Sequence, residues 1–291
     1  MIPCRRQNRL AMRTEPPPGA EIREFAPAKI NLALHVTGQR EDGFHLLDSL
    51  VAFVDTGDWV AVCAGDGLMI TGPEADGLDA DESNLCWRAA RAMGGDVAIR
   101  LDKHLPVASG IGGGSADAAA TMRALARIGR RLPDQQTVLS LGADVPACLS
   151  GQHARMQGIG ERLSPVQLPP LWLVLVNSRV AVATSSVFQA LTNRNNPPMQ
   201  ALPAFADARA LAAWLSRQRN DLEAPARRIV PEINAVLDAL AVDPACLLAR
   251  MSGSGATCFG LYATADTAET AAGRIAAARP GWWVRAAPLR A

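Results

Sequence analysis

Four glycines, Gly110, Gly112, Gly113 and Gly114, crowd into five positions of the stretch Pro106–Thr121 and run straight into a helix-forming segment. Glycine accepts left-handed backbone and carries no Cβ, so such a loop can bring its amides close to a ligand. The helix that follows leaves its first amides unpaired and aims the positive end of its dipole at the same place. Together they make a ready site for phosphate. A simple turn, capped by Ser115 and with Asp117 favouring the helix start, does not need glycines this dense.

Two familiar phosphate loops fail against the letters. A P-loop requires a lysine directly after its last glycine, and no lysine occurs after Lys103. The dinucleotide fingerprint requires Gly-x-Gly-x-x-Gly directly after a strand. Here Ser115 takes the third glycine position, and Pro106 opens the loop several residues after the strand-like Val97–Leu101.

At 291 residues the chain exceeds a typical single core, so two lobes or one large α/β unit are expected. Apolar residues make up 49%, ample for a core, and the net charge of +1 with no basic stripe argues against nucleic acid as a partner. Six cysteines are scattered without a Cys-x-x-Cys pair, so no metal is expected on them. Cys86, Cys148 and Cys258, among small or apolar neighbours, are expected to be buried thiols, as suits a reducing, cytoplasmic setting. The longest apolar run, Leu171–Val176, is strand-length and too short for a membrane span. Residues 1–24 hold five arginines and a Pro16-Pro-Pro18 run without an apolar stretch, and are expected to form a disordered extension rather than a signal. A monomer or weak homodimer is expected.

Ile30, Leu32, Leu34 and Val36 alternate with Asn31, Ala33, His35 and Thr37, the period of a strand with one buried face. Leu50–Val54 and Asp58–Val62 read as two strands around a turn at Thr56-Gly57. Ser83 or Asn84 caps a helix running to Met93, Val97–Leu101 is a strand, and Ser115–Ile128 is the helix after the glycine loop. A proline-bounded hinge at Ser164–Pro170 divides residues 25–165 from 166–291. Beyond it come a strand at Leu171–Val176, a short helix capped by Thr184 or Ser185, a loop over 193–205, and helices at about 207–217, 220–228 and 231–240. A strand at Ala256–Tyr262, a helix at Asp266–Ala278 and a strand at Trp282–Ala286 complete the chain. Strands and helices mixed without regular βαβ alternation predict a two-lobed α+β fold.

Of 29 basic residues only Lys29 and Lys103 are lysine. In a chain so biased toward arginine, the remaining lysines are candidates for tasks that a compact, tunable ammonium does better than a guanidinium. Lys29 opens the amphipathic strand. Asn31, two positions on, points to the same side and is expected to contact a substrate, and His35 shares that polar face. Lys103, beside His104, reads as a surface residue. Asp144 is an isolated carboxylate in the mostly apolar Leu141–Pro146; buried, it needs a partner, and a capping or turn role remains open beside a functional one.

The glycine loop resembles the phosphate loop of the GHMP kinases, Pro-x-x-x-Gly-Leu-Gly-Ser/Gly-Ser/Gly-[Ser/Ala]. Two further motifs of that family stand at matching separations: Ala26–Gly38, containing Pro-Ala-Lys-Ile-Asn-Leu, and Met251–Phe259, containing Gly253-Ser-Gly255. Asp42-Gly-Phe-His45 and Gly142-Ala-Asp-Val-Pro146 are similar to marks of the branch that phosphorylates a cytidine-bearing polyol. The resemblance spans roughly residues 25–263. It implies the two-lobed GHMP-kinase-like fold with the active site between the lobes, ATP with Mg2+ as cofactors, and a small-molecule acceptor. The ATP phosphates would lie on Pro106, Val107, Ala108, Ser109, Gly110, Ile111, Gly112, Gly113, Gly114, Ser115 and Ala116. Asp144 would be the catalytic base and Lys29 its cationic partner. Asn31, Phe44, His45, Thr184 and Phe188 would bind the acceptor, with Phe44 standing where many members have tyrosine. Gly253, Ser254 and Gly255 would form a second active-site loop. No protein ligand for the metal presents itself apart from the hydroxyl of Ser115. The reaction implied is transfer of phosphate to the 2-hydroxyl of 4-diphosphocytidyl-2-C-methyl-D-erythritol; a homoserine- or mevalonate-type kinase, or a non-catalytic nucleotide sensor, is the alternative.

Overall fold

The structure, a computed structural model, describes residues 21–290. The expected N-terminal extension therefore lies mostly outside the described residues, and its last residues belong to the fold, because β1 (Ile22–Gln39) begins at Ile22.

β1 pairs antiparallel with β2 (His45–Ala64) along nearly its whole length. The expected break at Thr56-Gly57 is absent: β2 is one unbroken strand of 20 residues. Gly57 serves a close approach instead of a turn. It pairs with Pro27, and a Cβ there would run into the backbone of Ala26. The length of β2 lets it take three partners. Its first half pairs with β5 (Ala154–Gly158), its second half with β4 (Val97–Asp102), and its other edge with β1. β3 (Gly67–Thr71), parallel to β4, and β6 (Arg162–Pro165), antiparallel to β5, complete this six-stranded sheet.

Four helices cover one face of the sheet: α1 (Leu85–Ala92), α2 (Gly113–Arg127), α3 (Gln135–Leu141) and α4 (Val145–Ser150). Asn84 caps α1, its side-chain oxygen accepting from the amide of Cys86 at 2.9 Å. Val51, Phe53, Val60 and Val62 of β2 meet Ala118, Met122 and Leu125 of α2 in the first core.

The second sheet is antiparallel, in the order β10-β7-β9-β8. It comprises β7 (Trp172–Asn177), β8 (Leu248–Met251), β9 (Cys258–Tyr262) and β10 (Trp283–Pro288). β7 reads as an unbroken apolar run because both of its faces are buried. Leu173 and Leu175 face Ile30, Leu32, Leu50 and Ala52 in a core between the two sheets. Val174 and Val176 join an outer core with α5 (Thr184–Gln189), α7 (Glu223–Ile229), α8 (Glu232–Ala241) and α9 (Ala265–Ala278), while α6 (Ala208–Leu215) packs into the inter-sheet core.

The elements that sequence periodicity does not reveal, β3, α3, α4, β5, β6 and β8, are all of seven residues or fewer, too short for a period to declare itself. One local irregularity matters more. The register of β1 on β2 shifts between Asn31 and Ala33. A one-residue slip reverses which side chains face which way. His35 therefore does not share the face of Asn31, as strict alternation would have it. Its ring lies instead against Pro197 and Arg219, accepting from the amide of Arg219 at 3.0 Å.

Candidate active site

A cleft of about 640 Å³ opens between the sheets. Lys29 and Asn31 of β1, the loop from Pro106 to Gly114 with Ser115, and Asp144 line it from the first lobe; Thr184, Phe188, Gly253 and Ser254 line it from the second. Ile111 and Ala116 do not reach it. Both are fully buried, Ile111 in the inter-sheet core and Ala116 in the helix-covered core, and they anchor the loop from behind.

The loop needs its glycines for contact as much as for conformation. Gly110 and Gly112 have φ of 75° and 66°. A Cβ on Gly110 would strike the backbone of Ser252 and Gly255, and one on Gly112 would press the Lys29 side chain at 3.2 Å. Gly112 is the N-cap of α2 and has no side chain with which to cap it. The first intrahelical bond runs from Ala116 to the carbonyl of Gly112, so the amides of Gly113, Gly114 and Ser115 lack helical partners and remain free to meet an anion.

The other two motifs are stitched to this loop. Lys29 donates its amide to the carbonyl of Ile111 at 3.0 Å, and the amide of Thr257 donates to Ser109 at 3.1 Å. Ser252 receives the amide of Asn31 and donates its hydroxyl to the carbonyl of Gly110. Gly255 lies outside the cleft lining and underlies Gly110.

Lys29, 3% exposed, places its ammonium 2.9 Å from Asp144 Oδ2 and 2.8 Å from Asn31 Oδ1. Asn31 is itself held by donating to Ser49 at 2.7 Å. Asp144 occupies the N-cap position of α4, yet its side chain makes no capping bond. That removes the plain capping role: the carboxylate, 31% exposed, turns to Lys29 and the cleft.

At the far end Phe188, which lines the cleft, stacks on His45, which stands behind it outside the lining, ring centroids 4.5 Å apart. His45 Nε2 is buried with no partner among the described residues, and the same holds for Arg194 Nε. Burial, with the Arg194 charge nearby, holds the His45 imidazole below its ordinary pKa. Thr184 caps no helix as the sequence suggests; its hydroxyl shares a 2.8 Å hydrogen bond with Ser254. Phe44 is not brought to the cleft and is 57% exposed. Successive residues entering a strand point to opposite sides, so turning His45 inward sends Phe44 out.

GHMP kinases N terminal domain matches residues 84–152 and GHMP kinases C terminal matches residues 199–280. A 4-diphosphocytidyl-2-C-methyl-D-erythritol kinase of Cereibacter sphaeroides is 58% identical over 272 residues, covering 91% of this chain and 98% of its own. One of Dinoroseobacter shibae is 55% identical over 94% of this chain and 97% of its own. The crystal structure of a 4-(cytidine 5'-diphospho)-2C-methyl-D-erythritol kinase superposes with a TM-score of 0.75 at 35% identity, covering 92% of this chain and 99% of that one. The chain belongs to the GHMP kinase family, in its 4-diphosphocytidyl-2-C-methyl-D-erythritol kinase branch. A homoserine kinase from Cytophaga hutchinsonii, 20% identical with a TM-score of 0.63 and 93% of this chain covered, shares the two-lobed mixed fold.

In this GHMP kinase Lys103 is not the surface residue that its neighbours suggest. It is 3% exposed and donates to Asp58 and, at 2.7 Å, to Asp117 in the second turn of α2. Asp58 also accepts the amides of His104 and Leu105. Asp117 receives Lys103 alone, and its Oδ1 is buried without a partner. One ammonium faces two carboxyls in a space closed to water. Burial, with Asp58 beside it, pushes Asp117 up to about 8 against the pull of Lys103. The two acids outweigh the cost of burying the ammonium and raise Lys103. Gly77, Leu78 and Asp79, which also line the cleft, escape motif reading, since no spacing rule marks an irregular segment.

Proposed function

We propose that the protein transfers the γ-phosphoryl group of ATP to the 2-hydroxyl of 4-diphosphocytidyl-2-C-methyl-D-erythritol. One observation carries this reading: the Lys29–Asp144 pair lies against Gly112, at the mouth of a helix whose first amides are free. An acceptor hydroxyl placed there meets a base and a cation at once. Asp144 takes its proton as the oxygen attacks. Lys29 steadies the carboxylate and offsets charge on the phosphoryl group in flight, and the loop amides hold the donor phosphates.

The acceptor end suits a flat polar heterocycle. Phe188 and His45 supply an aromatic platform, and the lowered pKa keeps the imidazole neutral, able to hydrogen-bond an uncharged base. Asn31, bonded to Lys29, and Thr184, bonded to Ser254, add polar groups to the cleft lining that an acceptor can meet. Phe44, at the hairpin tip, contributes only if the hairpin closes.

Mg2+ fits the site as a companion of the phosphates. Among the described residues no cluster of three His, Cys, Asp or Glu side chains gathers to hold it. The hydroxyl of Ser115, which lines the cleft, would be a protein ligand beside phosphate oxygens and water. When bound, the ion spreads charge on the transferring group.

Coupled ADP release with MgATP tests the assignment, with homoserine and mevalonate as rival acceptors. Turnover on the cytidine-bearing acceptor alone is expected. Turnover on a rival would overturn the roles of His45 and Phe188, and nucleotide binding without turnover on any acceptor would overturn the kinase reading.

A further inference from the structure

The segment between β3 and α1 forms the outer wall of the nucleotide side: its Gly77, Leu78 and Asp79 line the cleft with the glycine loop. It has no regular structure, so something must hold it. Glu74, side chain 7% exposed, is gripped by the two terminal guanidinium nitrogens of Arg179, at 2.6 and 2.7 Å. Glu74 belongs to the first lobe, and Arg179 follows β7 of the second. Paired N–H bonds in a fork are the strongest and most directional form of ion pair.

The pair closes a ring around the start of the glycine loop. On the first-lobe side the amide of Glu74 donates to the carbonyl of Lys103 at 3.1 Å. On the second-lobe side the amide of Arg179 donates to Asn177 Oδ1 at 2.7 Å, and Asn177 donates to Thr257 at 2.9 Å. The amide of Thr257 donates to Ser109, whose hydroxyl returns to the carbonyl of Pro106 at 2.6 Å. A polar recess of about 240 Å³ lies within the ring, between Glu74, Arg179, Asn177 and Pro106. Arg179 has φ of 65°, a left-handed backbone that a non-glycine residue adopts only at a cost. The grip on Glu74 and Asn177 keeps it there.

We propose that Glu74 and Arg179 form an interlobe clasp that positions the nucleotide wall, making Arg179 a second-lobe determinant of ATP affinity although it lies outside the cleft lining. The proposal rests on the assignment of ATP to the glycine loop. Opening the clasp frees the wall while leaving Lys29, Asp144 and the acceptor end as they are. The loss falls on nucleotide binding and not on the acceptor.

Equilibrium binding of a fluorescent MgATP analogue, with steady-state kinetics in both substrates, tests this on Glu74→Gln, Arg179→Ala and the exchange Glu74→Arg/Arg179→Glu. Each single variant should weaken nucleotide binding and raise the KM for ATP about tenfold, in the range of a lost charge-assisted pair. The KM for the acceptor and kcat should stay within about twofold, and the exchange should recover most of the loss. Arg179→Lys, which keeps the charge but not the fork, should fall between, and serves if the alanine variant does not fold. Unchanged nucleotide affinity in the single variants overturns the clasp alone. A loss shared equally by both substrates and kcat also overturns it, as a general structural defect. A wild-type protein that binds no nucleotide overturns the ATP assignment, and the clasp with it.

Discussion

The two lysines of this chain have opposite fates in the same core. Each is 3% exposed. Lys29 faces one carboxylate, and that partner is open enough to meet solvent or a substrate. Lys103 faces two carboxyls, both sealed, and spends its donors on Asp58 and Asp117. Burial alone therefore does not mark a catalytic ammonium. What separates them is whether the counter-charge is open to solvent: Asp144 is 31% exposed, whereas Asp117, although it borders the same cleft, is 3% exposed. Lys29 and Asp144 can each exchange their present partner for a reacting group without leaving a charge unmet. Lys103 cannot move without stranding two acids, so it ties β2, the end of β4 and the second turn of α2 into one frame beneath the phosphate loop. Gly113 records that closeness, since a Cβ there would lie 3.0 Å from the ammonium.

Removing the two ammonium groups in turn breaks the comparison most sharply. Lys29→Met and Asp144→Asn should each lower kcat by about 10²–10⁴-fold, the range for a lost base or its charge partner. Affinity for MgATP in Asp144→Asn should stay within about threefold. In Lys29→Met thermal stability should fall by no more than about 1 kcal/mol, because the Asp144 left behind can be hydrated. Stopped-flow or steady-state ADP release, run beside a melting curve, reads all three. An Asp144→Asn enzyme with unchanged kcat ends its assignment as base.

Lys103→Met should behave in the opposite way. Breaking one member of a sealed ion cluster costs about 3–5 kcal/mol, because the partners stay behind without compensation. Urea unfolding should show that loss in the midpoint, while protein that remains folded keeps far more turnover than Lys29→Met. If Lys103→Met is as stable as the wild type but inactive, the two lysines share one role and the contrast fails.

How much of this was legible in the sequence divides along the same line. The phosphate loop and the strand bearing Lys29 are contiguous, so spacing reveals them, and Asp144 stood out as a lone charge among apolar letters. β1 showed its period and α2 its place after the loop, whereas β2 read as two strands around a break at Thr56-Gly57 that the fold does not make. The buried cluster did not, since Asp58 lies 45 residues and Asp117 14 residues from Lys103, and only the folded sheet brings them together. Read locally, Lys103 beside a histidine looks like surface. His35 and Phe44 were misplaced for another reason: a register shift and a hairpin entry each reverse the face of a side chain without leaving a mark in composition.

The pH dependence of stability turns on the proton on Asp117. Its carboxyl is held up to about 8 by burial and by Asp58, against an ordinary value near 3.8. Below the ordinary value the group is protonated folded or unfolded, and its contribution to stability is fully present. As the pH rises toward 8 the unfolded chain gives up this proton while the folded chain keeps it, so stability drains away across that interval. Lys103, raised by its two acids, and the neighbouring Cys86 thiol, raised by burial and by Asp117, stay out of the titration. Asn in place of Asp117 mimics the neutral acid, still accepts from Lys103 and cannot ionise. Asp117→Asn should therefore match the wild type to within about 1 kcal/mol near pH 5, the scale of one exchanged hydrogen bond. It should then gain on the wild type steadily up to pH 8, with kcat at pH 7 little changed. Denaturant curves collected across that range give the difference directly, free of the other carboxyls common to both proteins. Parallel curves would mean that Asp117 is already ionised, that Lys103 balances two full charges, and that the frame beneath the phosphate loop carries a negative charge facing the nucleotide.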